Sequence, residues 1–244
     1  MRNALAIACR ELKGYFGTPI AYVFLVIFIV LTGVFTFYVG NLFSRGTADL
    51  SPFFTYVPWL YLALVPAVSM RLWSEERKSG TIELLMTLPV APWEAVVGKW
   101  LAGVVFMAIA LACTFPLWIT VNVLGDPDNG VIATGYLGAL AVAAVFLAAG
   151  SCMSALTRNQ VIAFVLAVAT CFVLLVSAMP MVLDTVRAVA PQPVVDAVSS
   201  LSALSAFQSM SQGVIEASSL VYVASMTLFW LFATAVVLNL RKAD

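Results

Sequence analysis

The chain has 244 residues, 63% of them hydrophobic and only 10% charged, and its formal net charge is zero. Soluble domains carry about 25% charged residues, so a water-soluble fold of this composition would expose far too much apolar surface. The balanced charge gives no sign of a nucleic-acid partner, which would need a basic surface, and the lack of histidine removes the commonest acid–base and metal-binding side chain. The composition predicts one membrane domain over residues 1–244, with the lipid bilayer as its solvent.

Residues 1–17 predict an amphipathic helix ahead of the first membrane span. Apolar residues recur at helical spacing on one side, and polar residues take the other side. The apolar set is Leu5, Cys9, Leu12 and Phe16, and the polar set is Asn3, Arg10 and Lys13. Such a helix lies in the membrane interface with its basic face toward the lipid headgroups. Pro19 then redirects the chain into the bilayer, so the helix forms an elbow.

Six apolar stretches are long enough to cross a membrane as helices. The predicted spans are residues 20–40, 53–70, 98–123, 132–156, 160–182 and 219–240, and Lys99 is the only charged residue inside any of them. In the fourth span, Gly150 and Ser154 have the small-xxx-small spacing that allows close helix contact, within the fold or between chains, although a lipid-facing position is an equal alternative. The sequence predicts an all-α, polytopic membrane protein.

The distribution of lysine and arginine predicts the orientation. With a cytoplasmic N-terminus, ten basic residues lie on the cytoplasmic side and two, Arg45 and Arg187, lie outside, which together make the 12 of the chain. Cytoplasmic loops of membrane proteins carry such an excess of positive charge. We expect a multi-pass protein with both termini in the cytoplasm.

The outer connection at residues 183–218 is long and mildly amphipathic. Its apolar residues recur at helical spacing after two prolines; they are Val198, Leu201, Leu204, Phe207 and Met210. This pattern predicts a segment that lies on or dips into the outer leaflet without crossing it.

The cytoplasmic connection at residues 71–97 is the one charge-dense part of the chain. Residues 71–78 predict a charged extension of the second span, which stops near Ser79-Gly80. At the other end, Pro92 suits the first residue of the third span, since the missing N–H of proline is no loss there.

Between these ends, the sequence predicts a short helix over residues 82–88. Thr81 is a good N-cap for it, and Glu83 in its first turn suits the helix dipole. Much of its surface is apolar, and an apolar face in the cytoplasm implies a partner protein. The alternative is an ordinary charged connector whose charges face water.

The sequence predicts no catalytic, cofactor-binding or metal-binding residue in this chain. A phosphate-binding loop needs G-x-x-x-x-G-K-[ST], but the only Gly-Lys pair, Gly98-Lys99, has Trp93 in place of the first glycine and Trp100 in place of serine or threonine. An intramembrane enzyme needs clustered catalytic groups, and ion-coupled carriers place ionisable residues at mid-membrane. Both signs are missing, so a stand-alone secondary transporter or channel is a weaker alternative.

Residues 75–85, Glu-Glu-Arg-Lys-Ser-Gly-Thr-Ile-Glu-Leu-Leu, followed by Leu-Pro-Val at 88–90 and Gly98-Lys99, resemble the cytoplasmic signature of ABC-2 type permeases. Residues 66–71 and 17–22 resemble the gliding-motility and nitrous-oxide-maturation branch of that family. The outer segment through Phe207 and Gly213, leading into Tyr222, is also similar to the family pattern. The resemblance covers essentially the whole chain.

The resemblance implies that two permease chains, as a homodimer or heterodimer, assemble with two separate ABC ATPase subunits, which bind ATP and magnesium. The short helix would then be a coupling helix that seats in a groove on the ATPase. The residues expected to couple are Glu75, Glu76, Arg77, Thr81, Glu83, Leu84 and Leu85. The acids and Arg77 would pair across that interface, and Leu84 and Leu85 would be its apolar anchors.

The family also implies an exporter in a bacterial inner membrane, with a periplasmic accessory protein as a further candidate partner. An alternative within the same family is a membrane anchor through which the ATPase does mechanical work on a periplasmic partner. The almost uniformly apolar spans suit a lipidic cargo, but they suit plain burial in lipid equally well.

Overall fold

A computed structural model describes residues 2–81, 91–188 and 191–240 of the chain. Over these ranges the fold is all-α, with no strand. The helices are α1 (Arg2–Phe16), α2 (Pro19–Val34), α3 (Ser51–Ser69), α4 (Arg71–Ser79), α5 (Pro92–Ala112), α6 (Phe115–Leu124), α7 (Asn129–Leu156), α8 (Gln160–Val176), α9 (Pro180–Arg187), α10 (Gln192–Ser200), α11 (Ala203–Ser211) and α12 (Ala217–Leu240).

Five helical stretches of the described chain are long and apolar enough to cross a membrane. They are Pro19–Ser44, Ser51–Ser79, Pro92–Leu124, Asn129–Leu156 and Ala217–Leu240. A sixth span exists if α8 and α9 are counted together, although they meet at an angle of 81°. The all-α, polytopic prediction is therefore confirmed, with five or six spans.

The predicted span at residues 160–182 is not one straight helix. α8 ends at Val176, and Pro180 begins α9 after the bend. Proline has no backbone N–H, and its ring clashes with the carbonyl of the residue four positions earlier, here Val176. The apolar composition of the stretch gives no sign of this interruption, whereas the proline does.

The central helix of the bundle is α7, which packs against α3, α5, α8, α11 and α12. It begins at an N-cap, since the carboxylate of Asp128 accepts hydrogen bonds from the amides of Gly130 and Val131. Small residues let its neighbours approach closely: a Cβ at Gly150 would lie 2.1 Å from Ser69 Oγ. The Gly150/Ser154 spacing thus serves contact within the chain, with α3 and α4.

Helix α1 runs alongside the first half of α5 in the same direction. A Cβ at Gly98 would lie 2.7 Å from the carbonyl oxygen of Ala4, so the two backbones are in close contact there. The buried side of α1 carries Ala4 and Ile7, whereas Leu5 is 61% exposed and Cys9 is also exposed. Leu5 and Cys9 of the predicted apolar face are therefore not covered by α5, and their contact with lipid stays a prediction.

The outer segment consists of three short helices, α9 to α11. α11 packs against α7 through Phe207 and Met210, which are buried, while Leu201 is exposed where the chain breaks between α10 and α11. The predicted stripe at residues 198–210 is therefore divided between two helices. The placement of this segment relative to the lipid stays a prediction.

Candidate functional site

The second span extends beyond its apolar part as a charged helix. α3 ends at Ser69, and after Met70 the chain continues as α4, which stops at Gly80. Gly80 has φ 74°, a left-handed conformation that favours glycine and commonly ends helices. The predicted extension over residues 71–78 and its stop near Ser79-Gly80 are confirmed.

The third span begins where predicted, at Pro92, with Glu94 in its first turn. The short helix predicted over residues 82–88 lies outside the described residues. The same is true of three of the expected coupling residues: Glu83, Leu84 and Leu85. These assignments stay predictions.

The hydroxyl of Ser154 on α7 holds the joint between α3 and α4. Its oxygen accepts hydrogen bonds from the backbone N–H groups of Trp73 and Ser74, each at 3.1 Å, and donates to the carbonyl of Met70 at 2.8 Å. A serine hydroxyl has one donor and two acceptor sites, so its hydrogen-bonding capacity is fully used. One turn earlier, Ser151 Oγ accepts a hydrogen bond from the indole of Trp73 at 2.9 Å. Both serines are fully buried, which fixes the direction in which α4 leaves the bundle.

A buried lysine joins α4 to α1 and α5. Lys99 on α5 is 2% exposed, and its Nζ lies 2.9 Å from Glu76 Oε1 and 3.1 Å from Glu11 Oε1. The same ammonium lies 5.2 Å from the ring centroid of Trp73, within the range of a cation–π contact. Arg10 Nη2 completes the group at 2.8 Å from Glu11 Oε1. We call Arg10, Glu11, Glu76 and Lys99 the charge cluster.

The charge cluster is neutral overall, with two acids and two bases. A buried ammonium without counter-charges would be strongly unfavourable, so the two carboxylates are what make the position of Lys99 tolerable. Burial opposes the negative charge of Glu11, but Lys99 and Arg10 outweigh it, and the pKa of Glu11 is lowered below its ordinary value. Three elements of the chain are thereby held at one point by electrostatic attraction.

The other expected coupling residues fall into two groups. Glu76 belongs to the charge cluster, and Arg77 Nη1 donates a hydrogen bond to the carbonyl of Ala155 at the end of α7. Glu75 and Thr81 are exposed, and Thr81 Oγ1 lies 2.9 Å from Ser79 Oγ. Glu76 and Arg77 thus have partners within the chain, whereas the side chains of Glu75 and Thr81 face outward.

Sequence reasoning missed the roles of Glu11, Lys99, Ser151 and Ser154 at this junction. One signal was present, because Lys99 is the single charged residue in any predicted span, and a lysine in such a position needs a counter-charge. Its carboxylate partners come from two other parts of the chain, so nothing in the local sequence identifies them.

The fold and this junction define a multi-pass, α-helical membrane protein in which a charged helix continues one span and is tied to three neighbouring helices. The family model described as "ABC-2 family transporter protein" matches residues 46–240. The chain belongs to this family, and it is accordingly a membrane permease subunit of an ABC transporter, not the ATPase. α1 and α2 precede the matched region. A search of curated proteins finds no match.

Proposed function

We propose that this permease is driven by a separate ABC ATPase that binds ATP and magnesium, and that residues 71–97 receive its motion. The charged helix α4 supports this proposal most directly. It leads straight from the second span into the segment that resembles the coupling helix, and its attachments to the bundle include Ser154 on α7 and Lys99 on α5.

The mechanical consequence follows from these two attachments. A push on residues 82–90 from the cytoplasm would reach α4, and α4 cannot move alone because Lys99 links it to α1 and α5, and Ser154 links it to α7. The motion would therefore pass to three helices together with α3. Closely packed helices with two discrete arrangements are the usual carriers of such coupling.

The exposed residues at the end of α4 suit contact with the ATPase. Glu75 and Thr81 face outward, so they remain our candidates for contacts across that interface, with Glu83, Leu84 and Leu85. Glu76 and Arg77 have a different role in this proposal: they hold α4 in place and do not contact the ATPase directly.

The remaining parts of the proposal rest on the family and on charge distribution. We infer an exporter that works as a homodimer or heterodimer in a bacterial inner membrane, with both termini in the cytoplasm. The charge cluster and the end of α4 would then lie on the cytoplasmic side, which the excess of lysine and arginine favours. A periplasmic partner and the gliding-motility and nitrous-oxide-maturation branch remain predictions.

The test compares Glu83→Ala and Leu84→Ala with Leu220→Ala, a control on exposed surface of α12. Each permease is reconstituted with its ATPase in lipid vesicles, and the ATPase rate is compared with that of the isolated ATPase. We expect the two coupling variants to insert normally but to lose the permease-dependent part of the rate, while Leu220→Ala retains it. Full permease-dependent activity in both coupling variants would show that the coupling segment is wrongly assigned.

A further inference from the structure

An apolar groove runs between α2, α3 and α8. Its volume is about 420 Å³, within the range of small-molecule sites, roughly 300–1,000 Å³. Phe28 and Leu64 are buried along it, Ala63 and Ala67 leave room because their side chains are small, and Val161 lies at one end. All eleven lining residues are apolar, so the groove suits a hydrocarbon chain and offers no partner to a polar ligand.

A second cavity of about 420 Å³ adjoins this groove, and Val161 lines both. Its other lining residues are polar or basic: Lys78, Thr157, Arg158, Asn159 and Gln160. Two of them are cations and none is an acid. In the part of the chain that the structure describes, neither Lys78 nor Arg158 forms an ion pair with a carboxylate. Among the described residues that line it, this basic cup has no acidic side chain, in contrast with the neutral charge cluster around Lys99.

We propose that the groove and the basic cup together bind one anionic phospholipid, with an acyl chain against Phe28 and Leu64 and the phosphate between Lys78 and Arg158. The apolar groove suits the acyl chain of a lipid, and the adjoining basic cup suits its phosphate. The groove follows the spans, and the cup lies where α4 ends and where α7 turns into α8. Cationic side chains at the membrane surface attract anionic headgroups, and each one raises the affinity roughly fivefold.

The proposed lipid would have a structural consequence. Lys78 belongs to the last turn of α4, and Arg158 belongs to the turn between α7 and α8. A phosphate held by both side chains would join these two elements at the surface of the protein. Ser154 joins α4 to α7 in the interior of the bundle in a similar way. Binding of this lipid does not depend on the identity of the transported substrate.

A second copy of the chain is the competing occupant of the groove. An apolar helix from another chain would fill the groove but would leave Lys78 and Arg158 without a counter-charge. The cup therefore favours the lipid, and the experiment distinguishes the two occupants.

The experiment measures lipid binding to the purified full chain in detergent, by native mass spectrometry, with phosphatidylglycerol and phosphatidylcholine of matched acyl chains. We expect preferential retention of phosphatidylglycerol. The double variant Lys78→Gln/Arg158→Gln should lower its affinity roughly 25-fold, from two side chains at about fivefold each, and should abolish the preference. Arg45 is exposed and precedes α3, whereas Lys78 lies beyond the other end of that helix. The control variant Arg45→Gln should therefore retain the preference for phosphatidylglycerol.

The apolar half is tested with Ala63→Trp, which fills the groove at an exposed position, and Ala224→Trp, an exposed position on α12, as its control. Of these two variants, we expect only Ala63→Trp to weaken binding of both lipids.

Equal retention of both lipids by the unaltered chain, or an unchanged preference in the double variant, would overturn the proposal. So would an Ala63→Trp variant that converts dimers to monomers and leaves lipid binding intact, because a second copy would then occupy the groove. Inorganic phosphate should not compete at millimolar concentration, and full competition would reduce the cup to a simple anion site.

Discussion

Lys99 Nζ lies 2.9 Å from Glu76 Oε1, so a lysine at the start of the third span holds the charged helix that continues the second span. The two residues are 23 positions apart, and the predicted coupling helix, residues 82–88, lies between them. This ion pair therefore closes the base of that segment. It fixes where residues 81–91 leave and rejoin the bundle, whatever their own conformation.

Replacing Lys99 by methionine should destabilise the permease. The substitution keeps the apolar stem but leaves Glu76 and Glu11 without the ammonium between them. Breaking a fully buried pair costs about 3–5 kcal/mol, and we expect about 2–3 kcal/mol here because the two carboxylates are 18% and 20% exposed. Denaturant unfolding in detergent measures this change, with Lys13→Met, at an exposed position of α1, as the control. Equal stability of both variants would argue against an energetic role for the charge cluster.

Acidification should weaken the attachment of α1. The pKa of Glu11 is lowered in the folded protein, so its contribution to stability is complete above the pKa of an unfolded glutamate, about 4.3. The contribution is lost as the pH falls through the lower, folded value. Glu11→Gln should therefore be less stable than the unaltered chain at pH 7, and the difference should shrink as the pH falls below about 4. A difference that grows with acidity would contradict the sign of this prediction.

Ser154→Ala should cost about 1–3 kcal/mol, because it leaves the buried N–H groups of Trp73 and Ser74 and the carbonyl of Met70 without this partner. The exposed Ser225 provides the control substitution, which we expect to change stability by less than about 0.5 kcal/mol. Thermal unfolding of both variants measures the difference. If the two alanine variants melted together, the joint between α3 and α4 would not depend on Ser154.

Gly150→Ala should be destabilising by about 1–3 kcal/mol, since the new Cβ would lie 2.1 Å from Ser69 Oγ and 2.7 Å from Ser69 Cβ. A second substitution, Ser69→Gly, should restore part of the loss by removing both atoms. Gly33 offers the contrast, because nothing lies within 4 Å of a Cβ there and alanine should be tolerated. The packing of α3 on α7 would be wrongly placed if the double variant were no more stable than Gly150→Ala.

The sequence predicts the helices better than their contacts. Apolar stretches, prolines and the Ser79-Gly80 stop locate the spans and α4, because these signals are local. The side of α1 that packs on α5 could not be predicted, since apolar periodicity alone does not say which neighbour a helix meets. The partners of Lys99 could not be predicted for the same reason: Glu11 and Glu76 come close to it only once α1, α4 and α5 are packed together.

We propose that this permease works with a separate ATPase. The most direct test of that partnership is purification of the tagged chain from native membranes, with the co-purifying proteins identified and quantified by mass spectrometry. We predict a soluble subunit with phosphate-binding-loop motifs at a ratio close to one per permease. Leu84→Asp should reduce the recovery of this subunit, whereas the control Leu220→Ala, on the exposed surface of α12, should leave it unchanged. Recovery of the permease alone, under conditions in which other membrane complexes stay intact, would contradict the account.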